Sequence, residues 1–377
     1  MKVLYGVSSV GLGHARRSLT LANKIRKLGD YEIDWVASVP ARSFLEGRGE
    51  KVLPVSSRMK TLSSAMEDRV SQGRLKDISL VARKSSALSR ENYNELREFL
   101  GNYEALIQDE FVETMFSFMW DRNPPLPRKR VVITDYFQIQ TNTWNPLSRV
   151  VTWYANRMLA KAYGNSQLRI FADEAESTPK KLPKFEIVGP ILEQVPDETR
   201  EDLRRKLFSG DNRMIVVVTV GGTSIGKRIL DFIASNEKSI REGMGNAKLI
   251  LMLGPRIDRN LYPENSENLE FVPFTTEALS YFKAADCVVA QAGGSTLNEV
   301  ASLGTPCVAI PIKNHWEQQV NARKFSKEYG FQLLQYDELN VGSVVNAVRI
   351  AMNSKYEPKR SDGAERAAKL VSDFLKN

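Results

Sequence analysis

The sequence predicts an α/β protein of two domains, each built on a parallel sheet. Three observations carry this. Short β-branched runs alternate with helical periodicity from end to end, the pattern of parallel strands joined by crossover helices. The pattern restarts after GPILEQVPDETRED at residues 189–202, whose prolines and acids read as a linker entering a new helix. The 377 residues also exceed one ordinary domain and suffice for two, each with its own core. The domains are expected at 1–189 and 197–377, with the last helix packing back on the first.

In chain order, residues 2–8 form the first strand, followed by a helix over 15–28 with Leu19, Ala22, Ile25 and Leu28 on one side and Gly29 after it. Strands follow at 31–37 and 51–55. Residues 59–101 read as a helical, basic insertion. The sheet resumes at 103–108 and 130–134, and FEIVGP at 185–190 closes the first half. The second half restarts with MIVVVTV. Near its end, ADCVVA at 285–290 suits a strand buried on both faces. The helix TLNEVASL then leads to Gly304 as its C′ residue.

Composition narrows the class. With 42% hydrophobic and 26% charged residues the chain is globular, and no run approaches the ~20 apolar residues of a membrane-spanning helix. The start, MKVLYGVSS, runs into a glycine loop, so no signal peptide is expected. Cys287 and Cys307 fall in predicted core strands, as buried thiols of a reducing compartment do, which points to the cytoplasm. The net charge of +8 asks for an acidic partner. Between residues 42 and 90, eleven Lys or Arg stand against five Asp or Glu, a surface for anionic lipid or a phosphorylated acceptor if it is not simply a solvated helical face. Nucleic acid is not expected, for no RNA or DNA module or zinc spacing occurs.

The chemistry concentrates at turns after strands. The segment AQAGGSTLNEVASLGTPCVAIPIKNHWEQQVNA places Gly293, Gly294, Ser295 and Thr296 between a strand and a helix. Backbone N–H groups at such a turn approach an anion closely, and the helix dipole favours it. Gly221, Gly222 and Thr223 form a second such turn. A third, GVSSVGLGHARR, ends in His14, one of only two histidines. It lies at the C-terminal edge of a parallel sheet, where open α/β folds bind ligands. Its intrinsic pKa near ~6.5 suits a general base, and a helix N-terminus disfavours the imidazolium. A carboxylate ending a neighbouring strand can orient it, and Asp109 and Asp135 are the candidates. Without an Asp-x-Asp motif, and with two distant histidines and two buried cysteines, no metal cage or cofactor is expected.

These motifs resemble the donor signature of nucleotide-sugar glycosyltransferases with two facing Rossmann-like domains, the GT-B fold. They look most like the peptidoglycan N-acetylglucosaminyltransferase and the UDP-glycosyltransferases. The resemblance implies parallel sheets facing a central cleft. It puts the donor diphosphate on Gly293, Gly294, Ser295 and Thr296 and on the Gly221, Gly222 and Thr223 turn, the base beside Phe274 and Thr275, the ribose hydroxyls on Glu299 and the sugar on Glu317 and Gln318. Gln291 stands where many relatives place His or Arg. His14 becomes the general base with Asp109 as its partner, in an inverting, metal-independent transfer. Gly11, Gly13, Arg16 and Arg17 would face the acceptor or a phosphate, and His315 would line the donor pocket or lie on the surface. The implied co-substrate is a UDP-sugar. The acceptor implied is lipid-linked or a glycolipid, met at the inner face of the cell membrane, with TWNPLSRVVTWYANRMLAKAYG as an interfacial or a core-packing helix. Two other readings share these residues: a sugar-nucleotide hydrolase or 2-epimerase on the same fold, and a non-catalytic sugar-nucleotide-binding subunit that docks on membranes.

Overall fold

The computed structural model describes residues 1–61, 70–71, 74–75, 78–111, 114, 121, 123–139, 146–175, 177–222, 224–354 and 356–377. The chain divides into two compact units. The first comprises Met1–Arg69, Asp77–Glu193 and Ser361–Asn377, the second Val70–Lys76 and Gln194–Arg360.

The first unit is a six-stranded parallel sheet: β1 (Lys2–Val7), β2 (Glu32–Val36), β5 (Ala105–Asp109), β6 (Lys129–Thr134), β7 (Leu168–Phe171) and β8 (Glu186–Ile187), in the order β2-β1-β5-β6-β7-β8. β1 and β5 are almost wholly buried, which explains why their sequences are continuous apolar runs and not alternating ones. Around the sheet lie α1 (Gly13–Arg26), α2 (Ala41–Gly47), α3 (Ile78–Leu100) and α4 (Pro146–Gly164). In α1 the expected stripe of Leu19, Ala22 and Ile25 is buried, whereas Leu28 lies past the helix end and is exposed. The expected strand at 51–55 is reduced to a single bridge, Val52 to Trp35. Pro54 lacks the N–H that a ladder needs and starts a 3-10 turn instead. β7, with the sequence LRIF, is an unpredicted strand. Of the basic insertion, α3 is helical as expected, while β3 (Val70–Ser71) and β4 (Arg74–Leu75), which belong to the second unit, pair antiparallel; the remainder of that expectation lies outside the described residues.

The second unit is another six-stranded parallel sheet, ordered β11-β10-β9-β12-β13-β14. Its strands are β9 (Ile215–Thr219), β10 (Lys248–Met252), β11 (Leu269–Val272), β12 (Cys287–Gln291), β13 (Cys307–Ile310) and β14 (Gln332–Leu333). Its helices are α5 (Arg200–Phe208), α6 (Lys227–Ser235), α7 (Glu237–Gly243), α8 (Ala278–Ala284), α9 (Gly294–Leu303), α10 (Trp316–Tyr329) and α11 (Val341–Asn353). Alternate residues of β9 feed two separate cores: Val216 and Val218 pack on one face, Ile215 and Val217 on the other. Cys287 and Cys307 are free, fully buried thiols in these cores.

The last helix, α12 (Gly363–Lys376), belongs to the first unit and lies along α1. Ala367, Ala368, Val371 and Leu375 form its buried face. Polar contacts hold its ends: the Tyr31 hydroxyl meets Ser372 Oγ at 3.1 Å, and Arg366 donates to the carbonyls of Ile187 and Val188. Its first residue leaves no room for a side chain. A Cβ on Gly363 would strike the carbonyl oxygen of Pro190 and lie 2.7 Å from that of Gly189. Backbone cannot move aside cheaply, so Gly363→Ala is expected to cost about 1–3 kcal/mol and to lower the thermal unfolding midpoint of the first unit.

Candidate active site

In both sheets the first strand has neighbours added on opposite sides, so the chain's direction of winding reverses beside it. That reversal opens a crevice at the carboxyl ends of two adjacent strands, where open α/β sheets bind ligands. In the first unit it falls between β1 and β5, in the second between β9 and β12. His14 and Asp109 lie at the first reversal point, and Gly221, Gly222, Gln291 and Gly293 to Thr296 at the second, whereas Phe274 and Thr275 follow β11 and Glu317 and Gln318 follow β13.

In the first unit, Gly11 turns the chain with φ +83 after β1, and Gly13 begins α1. His14 follows, its side chain 16% exposed. Its Nδ1 is 3.2 Å from Asp109 Oδ1, and its Nε2 faces Glu110 Oε2 at 3.6 Å. Of the two candidate partners, Asp109 is the one at hydrogen-bond distance. Asp135 instead accepts from Arg17 Nη1 at 2.7 Å.

Arg17 was expected to face an anionic ligand, and the structure assigns its donors otherwise. Nε donates to Asp109 Oδ2 (2.9 Å) and Nη2 to Oδ1 (2.6 Å), a bidentate fork on a fully buried carboxylate. With Nη1 on Asp135, all three nitrogens of the buried guanidinium donate to the protein's own carboxylates. A guanidinium this deep must be paired, and the carboxylates of Asp109 and Asp135 supply the charge, with Glu110 Oε1 more distant at 3.4 Å. Arg16 is also buried, 3.8 Å from Glu193 and over the Phe44 ring.

These neighbours reset the ionisations. Burial alone would raise the Asp109 pKa, but Arg17 and His14 hold it far below the usual carboxylate range. Burial opposes the His14 imidazolium, yet the Glu110 charge and the Asp109 hydrogen bond outweigh it and raise His14 to about 9. The expected effect of the helix end, a free base at neutrality, is therefore overturned. Charged carboxylates within 4 Å act more strongly than the partial charge of a helix terminus. Glu110 is pushed up to about 8 by burial and by Asp135.

In the second unit, Gly221 turns with φ +74 directly after β9, and Gly222 is buried beside it. Thr223 lies outside the described residues. Gly293 is the N-cap of α9, and no side chain caps that helix or places an acid in its first turn. The N–H groups of Gly294, Ser295 and Thr296 thus head a helix without a resident anion. Glu299, one turn further on, is buried at 7% exposure. Gln291 is buried at the end of β12, its Oε1 packed against Gly226. Phe274 is half-buried just beyond β11 and stands outside both cores, which take Phe271 instead. The Thr275 hydroxyl accepts from the Glu277 N–H at 3.0 Å. Glu317 lies in the first turn of α10, and Gln318 Oε1 accepts from the Ile312 N–H at 3.0 Å, leaving only its amide N–H groups for a ligand. His315 caps α10, and burial lowers its pKa to about 4, so it stays neutral.

Residues 215–374 match the glycosyltransferase family 28 C-terminal domain. The chain is 28% identical over 229 residues to an uncharacterised glycosyltransferase of Methanopyrus kandleri, covering 58% of this chain and 64% of that one. It is 21% identical to one of Methanosarcina mazei, over 99% of this chain and 95% of that one. A UDP-N-acetylglucosamine–N-acetylmuramyl-(pentapeptide) pyrophosphoryl-undecaprenol N-acetylglucosamine transferase of Caldanaerobacter subterraneus is 24% identical, over 51% of this chain and 54% of its own. The chain has the GT-B fold, and its second unit matches a glycosyltransferase family 28 C-terminal domain.

Solved structures share the fold along the whole length of this chain. A UDP-glucosyltransferase from Polygonum tinctorium superposes with TM-score 0.63 at 11% identity, covering 100% of this chain and 98% of that one. A spinosyn rhamnosyltransferase complexed with thymidine diphosphate gives 0.60 at 14%, covering 100% and 96%. Glu110, whose Oε2 lies 3.6 Å from His14 Nε2, is the residue of this cluster that the motifs do not single out. Its signal was present as a second acid directly after Asp109 at a strand end.

Removing Asp109 leaves Arg17 charge-paired with Asp135 but takes the acceptor from its buried Nε, so Asp109→Ala is expected to cost about 1–3 kcal/mol, read from denaturant unfolding. Because its folded pKa is depressed, Asp109 contributes stability that is present above its unfolded value of ~3.9 and lost as pH falls toward the folded one. Wild type should lose stability on that acid limb, and Asp109→Ala should lose less.

Proposed function

We propose that this glycosyltransferase moves a hexose or N-acetylhexosamine from a UDP-sugar to a hydroxyl of a lipid-linked acceptor, with inversion and without a metal. The observation that carries the donor half is the reversal point of the second sheet, where two glycine turns, an uncapped helix end and the buried Glu299 adjoin. A diphosphate fits the N–H groups of Gly293 to Thr296, and a carboxylate one turn on can accept from two vicinal ribose hydroxyls. The family 28 match covers this unit, and the Caldanaerobacter relative is named for transfer from UDP-N-acetylglucosamine.

In the first unit the chemistry falls to His14 Nε2, since Nδ1 is engaged with Asp109 and Arg17. The acceptor oxygen bonds to the anomeric carbon from the face opposite the diphosphate, and its proton passes to Nε2. The bond to the diphosphate breaks with its electron pair on the leaving oxygen, where the α9 N-terminus and the Gly221 turn stabilise the charge.

The lipid half rests on α4. Val150, Trp153 and Tyr154 are exposed at 62%, 63% and 57%, and Arg157 lies over the Trp153 ring at 5.9 Å. Aromatic and basic side chains together on one exposed helix face suit a membrane interface. Among the described residues no helix is long and apolar enough to cross a membrane. The same relative is named for a pyrophosphoryl-undecaprenol substrate.

Thermal shift with UDP, dTDP, GDP and their sugars tests the donor site. UDP compounds are expected to stabilise wild type and not Glu299→Ala, since a ligand binding only the folded state raises the midpoint. No response to any nucleotide would sink the assignment. His14→Ala should keep donor binding while transfer falls about 10²–10⁴-fold, with wild-type turnover unaffected by a chelator. Release of free sugar without acceptor would favour a hydrolase. Wild type should co-sediment with anionic vesicles, and Trp153→Glu with Tyr154→Glu should weaken that binding.

A further inference from the structure

We infer that Glu110, and not Asp109, is the carboxylate that sets when His14 can accept a proton. Asp109 is the nearer acid, but its charge is already committed. Its Oδ2 accepts from Arg17 Nε at 2.9 Å and from Ser18 Oγ at 2.8 Å, and its Oδ1 from Arg17 Nη2 at 2.6 Å. A carboxylate neutralised by a bidentate guanidinium orients the imidazole and contributes little net field.

Glu110 is differently placed. Its Oε1 accepts from the Thr134 hydroxyl at 2.9 Å and the Asp135 N–H at 2.8 Å, with Arg17 Nη2 more distant at 3.4 Å. These contacts fix the side chain and leave Oε2 directed at His14 Nε2, 3.6 Å away. Nε2 is the nitrogen available to an acceptor. The backbone of Glu110 has φ +43, a left-handed conformation uncommon for a residue with a side chain. Such strain persists where surrounding contacts over-determine it, and it concentrates at functional sites.

Among the described residues, the other charged and titratable groups around the pair are Arg17 on α1, Asp109 ending β5, Asp135 following β6, and the phenols of Tyr5 on β1 and Tyr163 on α4. Both phenols are held neutral by burial. Arg17 balances Asp109 or Asp135 but not both. With both aspartates charged, the cluster therefore retains protons on the His14–Glu110 pair, and the pair titrates together above neutrality. Glu110 acts through His14 and is a positioning residue: it stabilises the imidazolium formed when Nε2 takes the acceptor's proton. This role rests on the transferase reading above.

The test follows the imidazoles directly. The protein has two histidines, so ¹³C-histidine NMR gives two resonances, assigned with His315→Gln. His14 should titrate near 9 in wild type and His315 near 4. Glu110→Gln keeps the Oε1 acceptor but removes the charge. It should lower the His14 midpoint by about one unit or more, a tenfold loss of proton affinity per unit. The ascending limb of the kcat/KM profile against pH should move down by the same amount, raising the activity at pH 6 relative to that at pH 9. A merely structural role would lower kcat at every pH and leave both midpoints in place. An unchanged His14 midpoint in Glu110→Gln overturns the inference. Should that variant melt below assay temperature, Glu110→Asp retains the charge and is expected to hold the midpoint well above 6.5; a midpoint at or below 6.5 there overturns it equally. Wild type that turns over no nucleotide sugar refutes the transferase reading and leaves the titration as evidence on Glu110.

Discussion

A parallel sheet covered by helices on both faces has no wet side, and most of this structure follows from that constraint. Along β1, β5, β9, β12 and β13 nearly every side chain is buried. A polar group within such a strand would need a partner inside an apolar core, at a cost of several kcal/mol if it found none. Polar chemistry is therefore displaced to the strand ends. At the carboxyl ends, the next helices begin with N–H groups unpaired, so the same edge offers both the functional side chains and the anion-binding backbone.

The two units use that edge differently. In the second, the edge is glycine-rich and α9 has neither a capping side chain nor an acid in its first turn, which suits a ligand that brings its own negative charge. In the first, the edge is crowded with the protein's own charges: Arg17 lies within 4 Å of Asp109, Glu110 and Asp135, and His14 within 4 Å of Asp109 and Glu110. A cluster of this kind is weak evidence for stability, since ordinary apolar packing could replace it at little cost. Its value lies in what it does to His14, whose proton affinity is set by how one guanidinium is shared among three carboxylates.

Much of this was legible in the residues. The βα alternation, the division near residue 190 and the glycine turns are local signals, because burial on both faces dictates an apolar run and a tight turn dictates glycine. His14 was conspicuous for lying directly after a glycine turn, away from any apolar periodic stretch. Three features were not legible. Pro54 cut a strand to one bridge, β7 is too short and irregular to show a period, and Arg17 reads as a surface arginine until β5 and β6 are brought beside α1.

By itself, then, the sequence determined which chain segments become strands, where they turn, and which residue types stand at the turns, because those depend on neighbours a few residues away. Only the tertiary structure decided how the charges at the first edge are paired. Arg17 and Asp109 are ninety-two positions apart, and the ion pair forms because β5 is laid next to β1. Electrostatic coupling falls with distance in space and is blind to distance along the chain. For that reason the histidine stands out in the sequence, whereas only the fold shows which carboxylates lie beside it.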